Sequence, residues 1–332
     1  MPDTVFTGRH ILQWHITHRC NLRCRHCYQD NYSCEMSREK LFSSLERYER
    51  FLQAESLSAQ INLTGGEPLL HPDFFLLAEE IRRHGHRLAV LTNGTTVDAE
   101  TARHLALLKP EFVQISLDGT EPVHDRIRGE GSFRRALEGI DRLKRCRVPV
   151  QVSFTAQRLN RRSLPALALV CRAHGVDKLW FDRVVIPAEE DRDERSLTGE
   201  DFRRLVRTAH LLERFTPVKC VRALQFRDVS SSGCYHCDAG ANLLILLADG
   251  TLMPCRRLPY TIGNIFDGEL EETLAASEIM RALHDAPVPE ACSACPVAAR
   301  CRGGAKCIAC AKTGTWQARD PDCWRESRRQ VP

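Results

Sequence analysis

Three cysteines stand within eight residues, Cys20-Asn-Leu-Arg-Cys24-Arg-His-Cys27, in the spacing C-x3-C-x2-C. A structural zinc site takes four ligands, and disulfides take pairs. Three thiolates suit three corners of a 4Fe–4S cube and leave the fourth iron open to an outside ligand. The spacing differs from the C-x2-C-x2-C-x3-C run that gives all-cysteine ligation. An open iron implies chemistry on a substrate or cofactor, as an open position does at a catalytic zinc. One apolar run later comes Thr64-Gly65-Gly66-Glu67-Pro68. Its glycines let backbone approach a ligand closely, and the Glu67 carboxylate can accept from an ammonium group. Taken alone, this turn also reads as a tight strand–helix connection.

Sixteen cysteines are unevenly placed: four in 20–34, nine in 234–323, and Cys146, Cys171 and Cys220 between. No apolar run reaches the ~18 residues of a membrane span, and the N-terminus lacks a signal-peptide pattern. A cytoplasmic location is expected, where clustered cysteines argue for metal or catalysis rather than disulfides. The net charge is +4, with Lys and Arg spread along the chain. That pattern offers no nucleic-acid stripe. The mixed-sign run at 189–196 reads as a solvated loop. A catalytic module followed by a cofactor-rich module is expected, dividing into 1–215 and 216–332.

The middle of the chain must position these residues. Strand-like runs occur at 11–17, 59–64, 86–92, 112–118, 148–155 and 177–185. Helical stretches lie between them: one opened by Ser37 and Glu39 with the row Leu41, Leu45, Tyr48, Leu52, then 72–84 with Pro72 in its first turn, 97–108, 132–146, 161–174 and 199–214. Six strand–helix repeats imply a parallel sheet with helices outside. Six units fall short of a full (β/α)8 barrel, so a partial (β/α)6 barrel is expected, with a doubly wound sheet as the alternative. In either fold the site lies at the C-terminal ends of the strands. The polar residues fall there: the three cysteines, Gly65–Pro68, Asn93, Ser116 and Asp118, Ser153, and Arg183.

Taken together, "CNLRCRHC", "TGGEP", "TNG" and "SLDG…HD…RG…GSF" (116–133) resemble the radical S-adenosylmethionine (SAM) enzymes over residues 10–185. The resemblance implies that Cys20, Cys24 and Cys27 hold a 4Fe–4S cluster whose open iron is chelated by SAM. It implies that the Gly65–Pro68 backbone (Gly65, Gly66, Glu67, Pro68) and the Glu67 carboxylate receive the methionyl ammonium. Ser116 and Asp118 would face the ribose or the carboxylate of SAM. Asn93, Ser153 and Arg183 would belong to the same pocket. His26 and Tyr28 would shield the cluster or lie near adenine. Such enzymes break SAM reductively to a 5′-deoxyadenosyl radical, which takes a hydrogen atom from an unactivated C–H bond. The protein positions the substrate and excludes water and oxygen. A flavodoxin- or ferredoxin-type donor would supply the electron. No catalytic base is legible; Asp118, Asp125 and Asp182 are candidate acids.

The tail reads Cys234-x2-Cys237, a strand-like 242–248, an Asp-Gly turn, Cys255, Cys292-x2-Cys295-x5-Cys301, Cys307, Cys310 and Cys323. It resembles the SPASM extension of a subset of radical SAM enzymes, although Ala305 stands where that pattern has a cysteine. By analogy, two auxiliary 4Fe–4S clusters would use Cys234, Cys237, Cys255 and Cys307, and Cys292, Cys295, Cys301 and Cys323. Cys307 and Cys310 compete for one place. Zinc ribbons are the competing reading of the C-x2-C pairs.

SPASM-bearing enzymes mostly modify peptides or proteins, and extra clusters suit net oxidation. The leading expectation is a maturase that installs a crosslink, such as a thioether, or an epimerisation in a ribosomally made peptide. About ten residues precede the first strand, so leader recognition is expected to use the barrel rim, 186–232 or a separate protein. The alternatives are an anaerobic sulfatase-maturing enzyme that forms formylglycine, an enzyme acting on a small-molecule precursor, and a non-catalytic iron–sulfur carrier. Three thiols with a glycine-rich loop argue against the last.

Overall fold

A computed structural model describes residues 9–191, 195–215, 219–222 and 237–325. The chain begins with β1 (Arg9–Thr17), α1 (Arg38–Ala54), β2 (Ser58–Gly65), α2 (Phe74–Arg83), β3 (Arg87–Thr92), α3 (Ala99–Leu108) and β4 (Phe112–Ser116). It continues through α4 (Glu121–Arg128), α5 (Ser132–Arg145), β5 (Val150–Ala156), α6 (Leu164–Ala173), β6 (Lys178–Arg183), α7 (Gly199–Phe215) and β7 (Lys219–Arg222). The tail adds β8 (Leu243–Leu246), β9 (Thr251–Met253), β10 (Gly263–Asn264), α8 (Leu270–Ala276), α9 (Glu278–His284), α10 (Ala298–Cys301) and α11 (Lys306–Thr313).

Neighbouring strands run in the order β10-β9-β8-β1-β2-β3-β4-β5-β6-β7. From β1 to β7 every pairing is parallel and between consecutive strands. The order never reverses, so there is no switch point of the doubly wound kind. The six expected units form the partial (β/α)6 barrel, and β7 extends it beyond residue 215. The tail is also part of this sheet: β8 lies parallel against β1, with Ile11 opposite Leu243 and Trp14 opposite Leu246. An Asp249-Gly250 turn then leads into antiparallel β9. No helix among the described residues is long and apolar enough to cross a membrane.

Local chemistry explains the elements. The Ser37 side chain accepts from the Lys40 N–H and caps α1. Leu41, Leu45, Tyr48 and Leu52 then fall on its buried face. Trp14, Ile16, Ile61, Leu63, Val90, Ile115, Phe154 and Phe181 are buried along the strands and join one core with the helices. Pro72 stands outside α2, which begins at Phe74; Asp73 between them pairs with Arg38 of α1 at 2.8 Å. The sequence analysis named none of the short tail helices α8 to α11, and within the barrel it missed α4. The eight residues of α4 are mostly polar and show no apolar period.

Candidate active site

β1 delivers the chain at Thr17 into the cysteine loop, and backbone fixes that loop. The Gly66 N–H donates to the Thr17 carbonyl at 2.8 Å and the Glu67 N–H to the Arg19 carbonyl at 2.7 Å. The two glycines make this approach possible. A Cβ on Gly65 would stand 2.1 Å from the Thr17 carbonyl oxygen, and one on Gly66 would stand 2.3 Å from that of Arg19. The close partner of Gly65-Gly66 within the protein is therefore the cysteine loop itself.

Donors gather at the thiols. Cys20 Sγ accepts from the Leu22 N–H and Cys27 Sγ from the Gln29 N–H, both at 3.4 Å. Arg128 Nη1 lies 3.8 Å from Cys24 Sγ, and Asn93 Nδ2 lies 3.9 Å from Cys20 Sγ. Burial pushes the Cys20 and Cys24 thiols up, while Arg128 pulls Cys24 back. Half-buried sulfurs that face donors but resist bare ionisation are suited to a metal cluster that takes up their negative charge. Among the described residues no three His, Cys, Asp or Glu side chains close on one point. The three thiols instead share the wall of a cavity of about 320 Å³. The donor set thus fits an iron–sulfur cluster.

The other expected site residues divide between the cavity wall and its support. Tyr28, Gly65, Gly66, Asn93, Ser116 and Arg183 line the cavity with the cysteines. Glu67 is fully buried and turned away from it. Its Oε1 accepts from the Thr92 hydroxyl at 2.7 Å and the Leu69 N–H at 3.2 Å, and its Oε2 accepts from the Asn93 N–H at 2.8 Å. Glu67 therefore ties the loop after β2 to the loop after β3. Asn93 continues the tie, donating to Asn21 Oδ1 at 2.8 Å. Pro68 is buried at the start of a short 3-10 turn, and Ser153 is buried beside Ser116 in register. Neither lies on the cavity wall.

Burial pushes the Glu67 carboxyl up from 4.5 to about 7, against three donors that favour ionisation. A carboxyl raised on folding contributes its stability in full below its unfolded pKa, and the contribution is lost as pH rises through the folded value. The Glu67→Gln variant has no such titration. The stability advantage of wild type over Glu67→Gln is therefore expected to shrink between pH 4.5 and about 7, by up to about 3 kcal/mol. Urea midpoints across that range measure it, and a difference that stays flat would exclude the titration.

Asp118 is fully buried behind the cavity. Arg128 Nε donates to its Oδ2 at 2.6 Å, and the Thr155 N–H donates to its Oδ1 at 2.9 Å. Burial alone would raise this carboxyl, but Arg128 and His26 hold it below the usual range. Asp125 accepts from the N–H groups of Gly131 and Phe133 and anchors the start of α5. Asp182 accepts from Arg257 Nη1 at 2.6 Å. All three candidate acids are thus engaged in positioning contacts.

Arg183 lines the cavity, but its charge is already matched. Its Nη2 donates to Asp320 Oδ2 at 2.6 Å, and its Nη1 donates to Asp320 Oδ1 at 2.9 Å and Asp322 Oδ2 at 2.8 Å. These carboxylates belong to the tail, so the end of β6 holds the tail against the barrel at two successive residues.

The tail cysteines form two groups. Burial pushes the Cys237 and Cys307 thiols up, and the neighbouring Cys255 raises both further. Cys255 Sγ accepts from the Arg257 N–H at 3.4 Å. Cys234 lies outside the described residues. Cys310 instead faces the Tyr260 hydroxyl. Cys292, Cys295, Cys301 and Cys323 line one pocket together, with Arg319 beside them. Cys255 also lines the cavity that holds Cys20, Cys24 and Cys27.

Several wall residues were absent from the expected set: Gln13, Gln114, Arg128, Trp180, Arg256 and Arg257. Arg128 is the arginine of the quoted "RG", and Arg256-Arg257 directly follow Cys255, so both carried a readable signal.

The sequence pattern of the radical SAM superfamily matches residues 14–157. That of an iron–sulfur cluster-binding domain, SPASM, matches 237–296. Pre-heme d1 synthase of Dinoroseobacter shibae is 29% identical, over 96% of this chain and 87% of that protein. Mycofactocin maturase MftC of Mycobacterium tuberculosis is 28% identical, over 94% of this chain and 82% of that protein. The solved structure of native anSMEcpe with bound AdoMet and the Cp18Cys peptide superposes with a TM-score of 0.78 at 21% identity, over 96% of this chain and 94% of the other. With its three-thiol loop on a partial barrel and its cysteine-rich tail built into the same sheet, the chain carries a radical SAM domain and a SPASM domain.

Proposed function

We propose that the chain oxidises a substrate held between the Cys20–Cys24–Cys27 loop and Cys255. When bound at that loop, a 4Fe–4S cluster and SAM supply a radical that takes a hydrogen atom from an unactivated C–H bond. Cys20, Cys24 and Cys27 hold the cluster. The Gly65-Gly66 backbone, Ser116 and Tyr28 line the space for SAM, while Glu67, Asn93 and Asp118 set the position of that wall. In the tail, Cys237, Cys255 and Cys307, with Cys234, hold one auxiliary cluster. Cys292, Cys295, Cys301 and Cys323 hold the other, and Cys310 is left to Tyr260. The carrying observation is that Cys255 shares the cavity with the first three thiols. An electron leaving the substrate then has an acceptor site at the same wall, as net oxidation requires. A flavodoxin- or ferredoxin-type protein donates the electron that starts the cycle.

Two substrate classes each have a curated relative behind them. Peptide maturation is supported by the similarity to a mycofactocin maturase over most of the chain. A tetrapyrrole carboxylic acid is supported by the similarity to a pre-heme d1 synthase. A specific observation favours the second: the cavity wall carries Arg256, whose charge no carboxylate among the described residues matches, and an apolar side formed by Trp180, Val184, Val185, Leu243 and Ile245.

Anaerobic reconstitution is expected to give about twelve irons and twelve sulfides per chain, for three 4Fe–4S clusters. About eight would remove one auxiliary site, and about four would remove both. Release of 5′-deoxyadenosine above the substrate-free rate, with coproporphyrin III or with a short peptide encoded beside the gene, decides between the substrates. Stimulation by neither would remove both.

A further inference from the structure

Four arginines line the cavity: Arg128, Arg183, Arg256 and Arg257. Three are matched by buried carboxylates, each at 2.6 Å: Arg128 by Asp118, Arg183 by Asp320 and Arg257 by Asp182. Arg256 differs. Among the described residues it has no ion-pair partner. Its guanidinium lies 4.4 Å from the centre of the Tyr28 ring, and its Nε is buried with no hydrogen-bond partner. Its field reaches buried His15, whose pKa is lowered to about 3, first by burial and then by Arg256. A buried, unsatisfied guanidinium nitrogen at a cavity wall is costly unless a ligand completes it.

We propose that Arg256 is the substrate anchor of this cavity and binds a carboxylate on an otherwise largely apolar substrate. A planar guanidinium pairs with a carboxylate through two parallel hydrogen bonds. Tyr28 beneath it fixes the plane of the fork. Leu243, Ile245 and Trp180 on the same wall receive the apolar body. Because Arg256 follows Cys255, the anchored substrate lies beside the auxiliary site proposed to accept its electron. The inference deepens the proposed function, since it rests on the reading that substrate enters this cavity.

The first test uses the reconstituted holoenzyme and phenylglyoxal, with labelling at Arg256 read by mass spectrometry. Sodium propionate is expected to slow labelling of Arg256 several-fold relative to exposed Arg83, whereas propionamide at equal ionic strength leaves it unchanged. Absence of selective protection overturns the proposal. Protection by SAM alone also overturns it, because Arg256 would then serve the carboxylate of the cofactor. The second test titrates coproporphyrin III against wild type, Arg256→Met and Arg256→Lys. The Met variant is expected to bind about 10- to 100-fold more weakly, and the Lys variant to recover part of the loss. Equal affinities overturn the proposal. If coproporphyrin III fails to bind wild type while propionate still protects Arg256, the tetrapyrrole reading falls and the carboxylate anchor stands.

Discussion

Replacing Cys20, Cys24 and Cys27 together by alanine is expected to abolish 5′-deoxyadenosine release and to remove about four irons per reconstituted chain. The loss should be complete because the change removes all three sulfurs that would hold the cluster, together with the backbone and guanidinium contacts they receive. The fold should survive. The loop is held by hydrogen bonds from Gly66 to Thr17, from Glu67 to Arg19 and from Arg25 to Ile127, none of which uses a cysteine side chain. The metal-free variant should therefore match metal-free wild type within about 1 kcal/mol. Iron and sulfide analysis, product chromatography and urea unfolding provide three separate readings. Continued cleavage of SAM by a folded variant would remove the loop from its assigned role.

The Asp320→Ala variant should lose about 3–5 kcal/mol of stability, because it leaves a buried guanidinium without its main partner. Arg183 and Asp320 are 2% and 1% exposed, so water cannot replace the lost contact. Asp320 also accepts from the Ala305 N–H, adding a second orphan. Removing both charges, as in Arg183→Met with Asp320→Leu, should cost less than the single change. Burial acts to raise the Asp320 carboxyl, but Arg183 overcomes this and holds it below the usual range. A carboxyl lowered on folding stabilises above its unfolded pKa and loses that contribution as pH falls through its folded value. The variant should accordingly lack part of the acid sensitivity of wild type. Denaturant unfolding of wild type and both variants tests the argument, and a single change no worse than the double one would break it.

Local signals were the legible part. The alternation and caps that mark β1 to β6 and α1 depend on neighbours a few residues apart, which a sequence displays directly. The three thiols and the two glycines were readable for the same reason. What escaped was set by distant partners. Arg183 has an ordinary place at a strand end, and nothing near it announces Asp320 far along the chain. Glu67 is polar and follows two glycines, so it reads as a ligand; its burial depends on Thr92 and Asn93, delivered by another strand. The place of β8 against β1 is likewise a long-range pairing, and an apolar run cannot name its neighbour in a sheet. The proposed choice of Cys307 over Cys310 rests on which face of a short helix is buried, which spacing alone does not display.

The seating of β8 against β1 makes the sheet a ruler. β1 runs directly into the first thiol loop, and β8 leads through a tight turn to Cys255. A slip of one residue would move the tail about 3.3 Å along the ladder. It would also turn Leu244 and Leu246 out of the core they share with Trp14. Intermediate settings do not exist, because a ladder advances only in whole residues. The separation between the first thiol site and Cys255 is therefore quantised by backbone geometry. Ageing, heat or a change of side chain on the tail surface should leave that interval unchanged until the sheet itself comes apart.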